Sequence, residues 1–252
     1  MKLLNKDQIV INTLVFLEQH QLGIPQSAMI DWVNESECKN IEIRREFIRD
    51  FNAELNDIKT KSEQYGISVF YSIPDVLYEN HKLKSERFEL YCKEAEKMNC
   101  HSIKLNIGDF DNVSLEDLKA ITEQLEKYSV TLRVENDQTE SNGKASKIYH
   151  FLSLVKQLGG DISFTFDIGN WLFQNEDPFE NAKLLRQFVT YIHIKNLDRS
   201  KNTVLLNEGI IDLKNVLNQF SNDVPIAIEY PIISKEQLDS EINNILHLLE
   251  VI

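Results

Sequence analysis

Glycine and proline are scarce in this chain, with 8 and 5 copies among 252 residues. That scarcity argues against long disordered tracts, and no linker or low-complexity segment marks a domain boundary. Cysteine is scarcer still: Cys38, Cys92 and Cys100 form no CxxC pair. An odd number of cysteines in so large a chain points to reduced thiols and a cytoplasmic location rather than a disulfide framework. No block of five or six basic residues occurs, and the net charge is −13, from 40 acidic and 27 basic residues. A field of that sign repels phosphate backbones and anionic lipid, so neither nucleic acid nor a membrane surface is an expected partner. A local basic pocket for a small phosphate remains compatible with it. No apolar run reaches the roughly 18 residues of a membrane helix, and the segment Met1 to Gln8 is polar, without a signal-peptide core.

What is present is regular. Hydrophobic residues make up 42% and charged residues 27%, the balance of a soluble globular protein. Short β-rich runs fall at residues 9–14, 40–46, 68–74, 102–108, 131–137, 162–169, 191–196 and 226–231. Between them lie stretches with apolar residues at helical spacing, such as Leu115, Leu118, Ile121 and Leu125, or Leu152, Leu154, Val155 and Leu158. Ser114 ahead of Glu116 and Asp117 marks one helix start, and Pro25-Gln26-Ser27 another. Gly66, Gly159 and Gly160 mark returns to strand, and Pro225 and Pro231 flank the last strand. Eight β-then-α units, at a repeat of about 30 residues, imply parallel strands with helical crossovers. Eight such units close into a barrel, and the expected fold is α/β, a (β/α)8 TIM barrel forming a single domain over residues 1–252. The alternative, an open doubly wound sheet, usually carries a Gly-rich phosphate turn after its first strand. Residues 14–27 hold Gly23 alone.

Side chains of a barrel strand alternate between the inside and the helix-facing side. Ile41 and Ile43 alternate with Glu42, Arg44 and Glu46; Leu132 and Val134 with Thr131, Arg133 and Glu135. Phe164 and Phe166 alternate with Ser163, Thr165 and Asp167; Ile192 and Ile194 with Tyr191, His193 and Lys195; Ile226 and Ile228 with Ala227 and Glu229. The interior of strands five to eight thus receives Glu135, Asp167, His193 and Glu229 near the C-terminal strand ends, where TIM-barrel active sites lie. Three crowded carboxylates repel one another unless something neutralises them, and a divalent cation does so directly. Three carboxylate oxygens and one imidazole nitrogen suit Mn2+, Mg2+ or Co2+, with Zn2+ also compatible.

Each residue also has a plainer reading. Glu135 can pair with an inward arginine such as Arg44, Asp167 can cap a turn, His193 can be a hydrogen-bonded interior histidine, and Glu229 can bind Lys195. Taken together, on four consecutive strands at matching depth, they read as one metal site.

At these residues the sequence resembles the xylose isomerase-like TIM-barrel superfamily and, within it, the sugar phosphate isomerase/epimerase group. Residues 40–46 are similar to that family's second strand, VENDQ at 134–138 to its fifth, DIGN at 167–170 to its sixth, HIKN at 193–196 to its seventh, and IEYP at 228–231 to its eighth. NEGIIDL at 207–213 resembles the loop before the eighth strand. The chain departs from the family pattern in three places. Asn170 stands where a substrate-touching histidine is common, Asn196 where aspartate is common, and Gly209 is the one glycine kept of a usual pair. The resemblance implies one divalent ion on Glu135, Asp167, His193 and Glu229. It implies a small sugar, sugar phosphate or polyol ketone as substrate, with isomerisation or epimerisation through an enediolate. Glu135 and Glu229 would then transfer the proton. Arg44, Glu46, Asn106, Asn170 and Lys195 are the expected substrate contacts, with Trp171 and Phe16 as pocket walls. A lyase of the inosose dehydratase kind, and a barrel that binds sugar without catalysis, are the alternatives; monomer and homo-oligomer are both compatible. The DNA-repair branch of the superfamily uses several histidines, whereas of the six here only His193 falls near a C-terminal strand end.

Overall fold

The protein is described here by a computed structural model covering residues 6–250, so the first five residues of the polar N-terminal segment lie outside the described part. Among these residues eight parallel strands follow one another in chain order: β1 (Ile9–Asn12), β2 (Asn40–Arg44), β3 (Ser68–Glu79), β4 (Ser102–Gly108), β5 (Thr131–Glu135), β6 (Ile162–Asp167), β7 (Val189–Ile194) and β8 (Ile226–Ile228). Each pairs with the next. The register Ile9 to Ile226 and Ile11 to Ile228 joins β1 to β8 and closes the barrel. Closure excludes the open doubly wound sheet. Around it run α1 (Leu17–Gln21), α2 (Gln26–Glu35), α3 (Glu54–Tyr65), α4 (Ser85–Lys97), α5 (Leu115–Tyr128), α6 (Ala145–Gln157), α7 (Pro178–Leu185), α8 (Leu213–Leu217) and α9 (Lys235–Glu250).

The apolar half of each alternating strand faces these helices. Ile41, Ile43, Leu132, Val134, Phe164, Phe166, Ile192, Ile194, Ile226 and Ile228 all belong to the main buried core. The other half faces inward and divides by depth. Toward the N-terminal strand ends the interior is packed, with Val10, Tyr191 and Ala227 in one cluster and Phe70 against it. The rings of Phe70 and Tyr191 stack 4.9 Å apart, and the Arg133 guanidinium lies over both. This cation–aromatic plug floors the barrel, so a charged group survives there on ring faces and on hydrogen bonds to Ser102 and Thr190. Above the plug the interior turns polar.

Strand ends differ from the sequence expectation for identifiable reasons. β1 stops at Asn12 because its side chain accepts from Leu14 N at 2.8 Å and turns the chain into a 3-10 turn, Thr13–Phe16. β2 stops at Arg44, which leaves Glu46 in the turn Arg45–Phe47. β3 runs past Pro74 through an irregularity between Ser72 and Val76, then folds back onto the short strand Lys82–Leu83. Proline is tolerated there because the ladder is already broken. The helix starts behave as expected: Ser114 and Asp117 form a reciprocal capping box at α5, and α2 begins just after Pro25. Among the described residues no helix is long and apolar enough to cross a membrane.

Candidate metal centre

Four strand ends deliver one side chain each to the C-terminal mouth. Glu135 ends β5, Asp167 ends β6, His193 lies one residue before the end of β7, and Glu229 directly follows β8. Asp167 and His193 are register partners across β6 and β7. One ligand atom from each residue lies within 4.8 Å of the other three, and all four residues are buried.

Each residue divides its polar atoms between a structural partner and the common centre. Glu135 Oε2 accepts from Lys104 Nζ, while its Oε1 lies 2.6 Å from His193 Nδ1. Asp167 Oδ1 accepts from Asn170 N at 3.0 Å and so caps the turn Asn170–Gln174, while Oδ2 lies 2.6 Å from Lys195 Nζ. Glu229 Oε1 accepts from Arg44 Nη1 at 2.9 Å, and its Oε2 lies 3.3 Å from His193 Nδ1. His193 Nε2 turns away to Glu42 Oε2 at 2.8 Å. Glu135 Oε1, Asp167 Oδ2 and His193 Nδ1 are buried without a hydrogen bond of good geometry. Three carboxylates and one imidazole crowded at a buried point, partnered there by one another and by Lys195 alone, are an environment that a divalent cation would stabilise. The donor set therefore fits a divalent ion.

Cations of the chain balance part of this charge. Lys104 on β4 and Lys195 just beyond β7 are buried with it, and burial, which would lower their pKa values, is outweighed by the surrounding carboxylates, which raise them. Burial raises the Glu229 carboxyl, but His193, Lys195 and Arg44 hold it well below the ordinary range. Burial likewise opposes ionisation of Glu135, and Lys104 and His193 win. At Asp167 burial prevails: together with the negative Glu229 and Glu135 it pushes the carboxyl up to about 7, in spite of the Lys195 ammonium. Burial would lower His193, but Glu229, Glu42 and Glu135 raise it well above its usual value.

The mouth opens into a cavity of about 520 Å³ whose lining includes Arg44, Lys104, Asn106, Asn170, Lys195 and Asp137. Four of the five residues expected to touch substrate thus line one pocket. Glu46 does not. It sits at the rim, in the turn after β2, and binds Arg44 Nε at 2.7 Å. Arg44 pairs with Glu46 and Glu229, rather than with Glu135. Its backbone is clamped at both polar atoms by the Gln26 side chain at the start of α2. The aromatic walls are a correction. Trp171 is fully buried against Phe164 and Phe166, and Phe16 faces a separate groove beside Trp32. Both belong to the apolar packing outside the barrel.

Three residues beyond the expected set hold the centre together. Lys104 lies on β4, from which the sequence reading took Asn106 alone. Asn136 bridges β5 to β6: its side chain accepts from Asp167 N and donates to Asp167 O, each at 2.9 Å. Its own carbonyl takes Asn170 Nδ2 at 2.9 Å. Glu42 lies beneath His193. Gly169 makes room for Lys195, since a Cβ there would stand 2.6 Å from Lys195 Cγ.

A family model described as xylose isomerase-like TIM barrel matches residues 30–247. No curated protein matches the sequence. Solved structures share the fold at low identity. D-psicose 3-epimerase from Clostridium cellulolyticum H10 superposes with a TM-score of 0.69 at 12% identity, covering 96% of this chain and 98% of that one. The probable 3-DHS dehydratase of petrobactin synthesis from Bacillus anthracis gives 0.67 at 14%, over 94% and 98%. A family 2 AP endonuclease from Brucella melitensis gives 0.63 at 10%, over 92% and 95%.

Proposed function

We propose, from the premise that this chain belongs to the xylose isomerase-like TIM-barrel family, that it is a metal-dependent isomerase or epimerase of a small sugar, sugar phosphate or polyol ketone. The observation that carries the reading is the convergence of buried Glu135, Asp167, His193 and Glu229 on one point, each offering a ligand atom within 4.8 Å of the others. Mn2+, Mg2+ or Co2+ suits three carboxylates and one imidazole, and Zn2+ is compatible. A divalent ion held there supplies Lewis-acid polarisation of a carbonyl.

The chain's own residues do the rest. The cavity above the candidate ligands opens to solvent and carries charged and amide side chains, Arg44, Lys104, Asn106, Asn170 and Lys195, which suits a polyhydroxylated substrate. Glu135 ends β5 and Glu229 follows β8, at different sides of the mouth. One removes the proton next to the carbonyl and the other returns it, which epimerises the carbon; a single carboxylate doing both shifts the carbonyl. Asn106 and Asn170 supply amides, and Lys195 an ammonium, to substrate oxygens. A lyase reading rests on a separate feature: the Lys104 and Lys195 ammonium groups line the same cavity and can protonate a departing hydroxyl.

The test is a screen of ketoses, their phosphates and inososes in deuterated water at saturating Mn2+, read by NMR. Solvent deuterium next to the carbonyl of a recovered or isomerised substrate supports enediolate chemistry. Turnover with no solvent exchange sinks it in favour of a hydride shift. Binding without turnover leaves the non-catalytic sugar-binding barrel, and formation of an unsaturated product selects the lyase.

A further inference from the structure

We infer that Glu42 is a positioning residue that fixes the ligand face of His193; the inference rests on the metal-centre reading above. Glu42 stands on β2, far in sequence from β7, and is 1% exposed. It does not line the substrate cavity, so any part it plays is through a neighbour. Its Oε2 accepts from two donors, both on β7: Tyr191 Oη at 2.5 Å and His193 Nε2 at 2.8 Å. A carboxylate is costly to bury without partners, and here the partners are a metal-ligand candidate and the tyrosine two residues before it. The imidazole also meets the Tyr191 ring edge-on, with centroids 5.2 Å apart at 73°.

The consequence is geometric. With its Nε2–H donated to Glu42, the ring turns Nδ1 toward the common centre, 2.6 and 3.3 Å from Glu135 and Glu229, where a bound ion would take the place of the Nδ1 proton. A flipped ring would put carbon atoms at both places. The other neutral tautomer would place a proton where the ion binds and a lone pair against the Glu42 carboxylate. Glu42 disfavours both, and an outer carboxylate of this kind also makes the imidazole a better donor to a metal. Tyr191 in turn holds Glu42 in place, which links the aromatic floor of the barrel to the centre above it.

The test uses Zn2+ as a diamagnetic probe on the intact chain. By chelator competition, Glu42→Leu should weaken Zn2+ binding about 10- to 100-fold. Glu42→Gln, whose amide oxygen still accepts from Nε2–H, should recover most of that loss. A purely packing role would lower the thermal midpoint of the metal-free variants without separating Gln from Leu in Zn2+ affinity. If the leucine variant does not fold, the wild type decides alone. In 15N spectra of histidine-labelled, Zn2+-loaded protein, the ring that responds to Zn2+ should carry its proton on Nε2 and the metal on Nδ1. A proton on Nδ1, or equal Zn2+ affinity in wild type and Glu42→Leu, overturns the inference and leaves the metal centre standing. A wild type that binds no Zn2+, Mn2+ or Co2+ brings down both.

Discussion

Glu135, Asp167, His193 and Glu229 each carry two polar atoms, and the two serve different ends. Oε2 of Glu135, Oδ1 of Asp167, Oε1 of Glu229 and Nε2 of His193 go to Lys104, the Asn170 amide, Arg44 and Glu42. The remaining atoms converge. Of the plain readings, the Asp167 turn cap and the hydrogen-bonded His193 are present on the edges away from the centre, Glu135 pairs with Lys104 rather than Arg44, and the Lys195 bond to Glu229 is present but uses Oε2, the atom that faces the centre. Protonation reports on this arrangement. Metal binding needs ionised carboxylates, so a proton on Asp167 competes with the ion. Because its carboxyl is pushed up to about 7 and the His193 imidazole is raised as well, Mn2+ affinity should fall as pH drops from 8 to 6. Isothermal titration at three pH values checks the sign, and a flat profile across that range contradicts it. The cysteines give a second residue-level prediction. Burial raises the Cys38 thiol and pushes those of Cys92 and Cys100 up to about 12. A thiol-reactive dye at pH 8 should find no fast-reacting cysteine in the native protein and three after denaturation.

At the scale of elements, side-chain amides bind strand ends and loops. Asn136 satisfies both backbone polar atoms of Asp167. Asn136→Ala should therefore leave two buried groups unpaired and cost about 1–3 kcal/mol in urea unfolding, as well as weakening metal binding. Asn196 does similar work at the loop before α8: its side chain bonds Leu206 O, Ile211 N and Leu197 N. A Cβ on Gly209 would stand 2.0 Å from Asn196 Cγ. Gly209→Ala should therefore destabilise by about 1–3 kcal/mol, as overpacking does, while a substitution at nearby exposed Ile210 should not. These contacts mark the limit of what the sequence makes legible. Alternation along one strand reveals which side chains point inward, and that was enough to single out the four residues that the fold brings together. Alternation is silent about what an inward group meets across the barrel. Glu42 finds Tyr191 and His193 only after β1 and β8 have closed the ring, and Lys104 finds Glu135 only through the β4–β5 register. Trp171 was misplaced for the converse reason: it stands just past a strand that ends in Asp167, but the turn Asn170–Gln174 directs it outward onto Phe166. Glu46 fell short because β2 ends two residues early.

Over the whole molecule, the barrel joins an aromatic floor built on Phe70, Tyr191 and Arg133 to a charged mouth. A ligand that binds only the folded state stabilises it, by about 2.7 kcal/mol at a concentration one hundred times Kd. Saturating Mn2+ should raise the thermal midpoint, and a chelator should return it to the metal-free value. The net charge of −13, and a candidate centre that among the described residues holds His193 and no other histidine, also bear on the neighbouring nuclease fold. Protein freed of contaminating nuclease should not nick an abasic duplex with any added metal; reproducible nicking would show that the site handles phosphodiesters. The most direct test of the central claim is the metal content of the purified chain, measured by elemental analysis after gel filtration with and without added Mn2+, beside Asp167→Asn and His193→Gln. The account predicts one ion per wild-type chain and a clear loss in both variants. A wild type that retains no divalent ion, or variants that retain as much as the wild type, would contradict it.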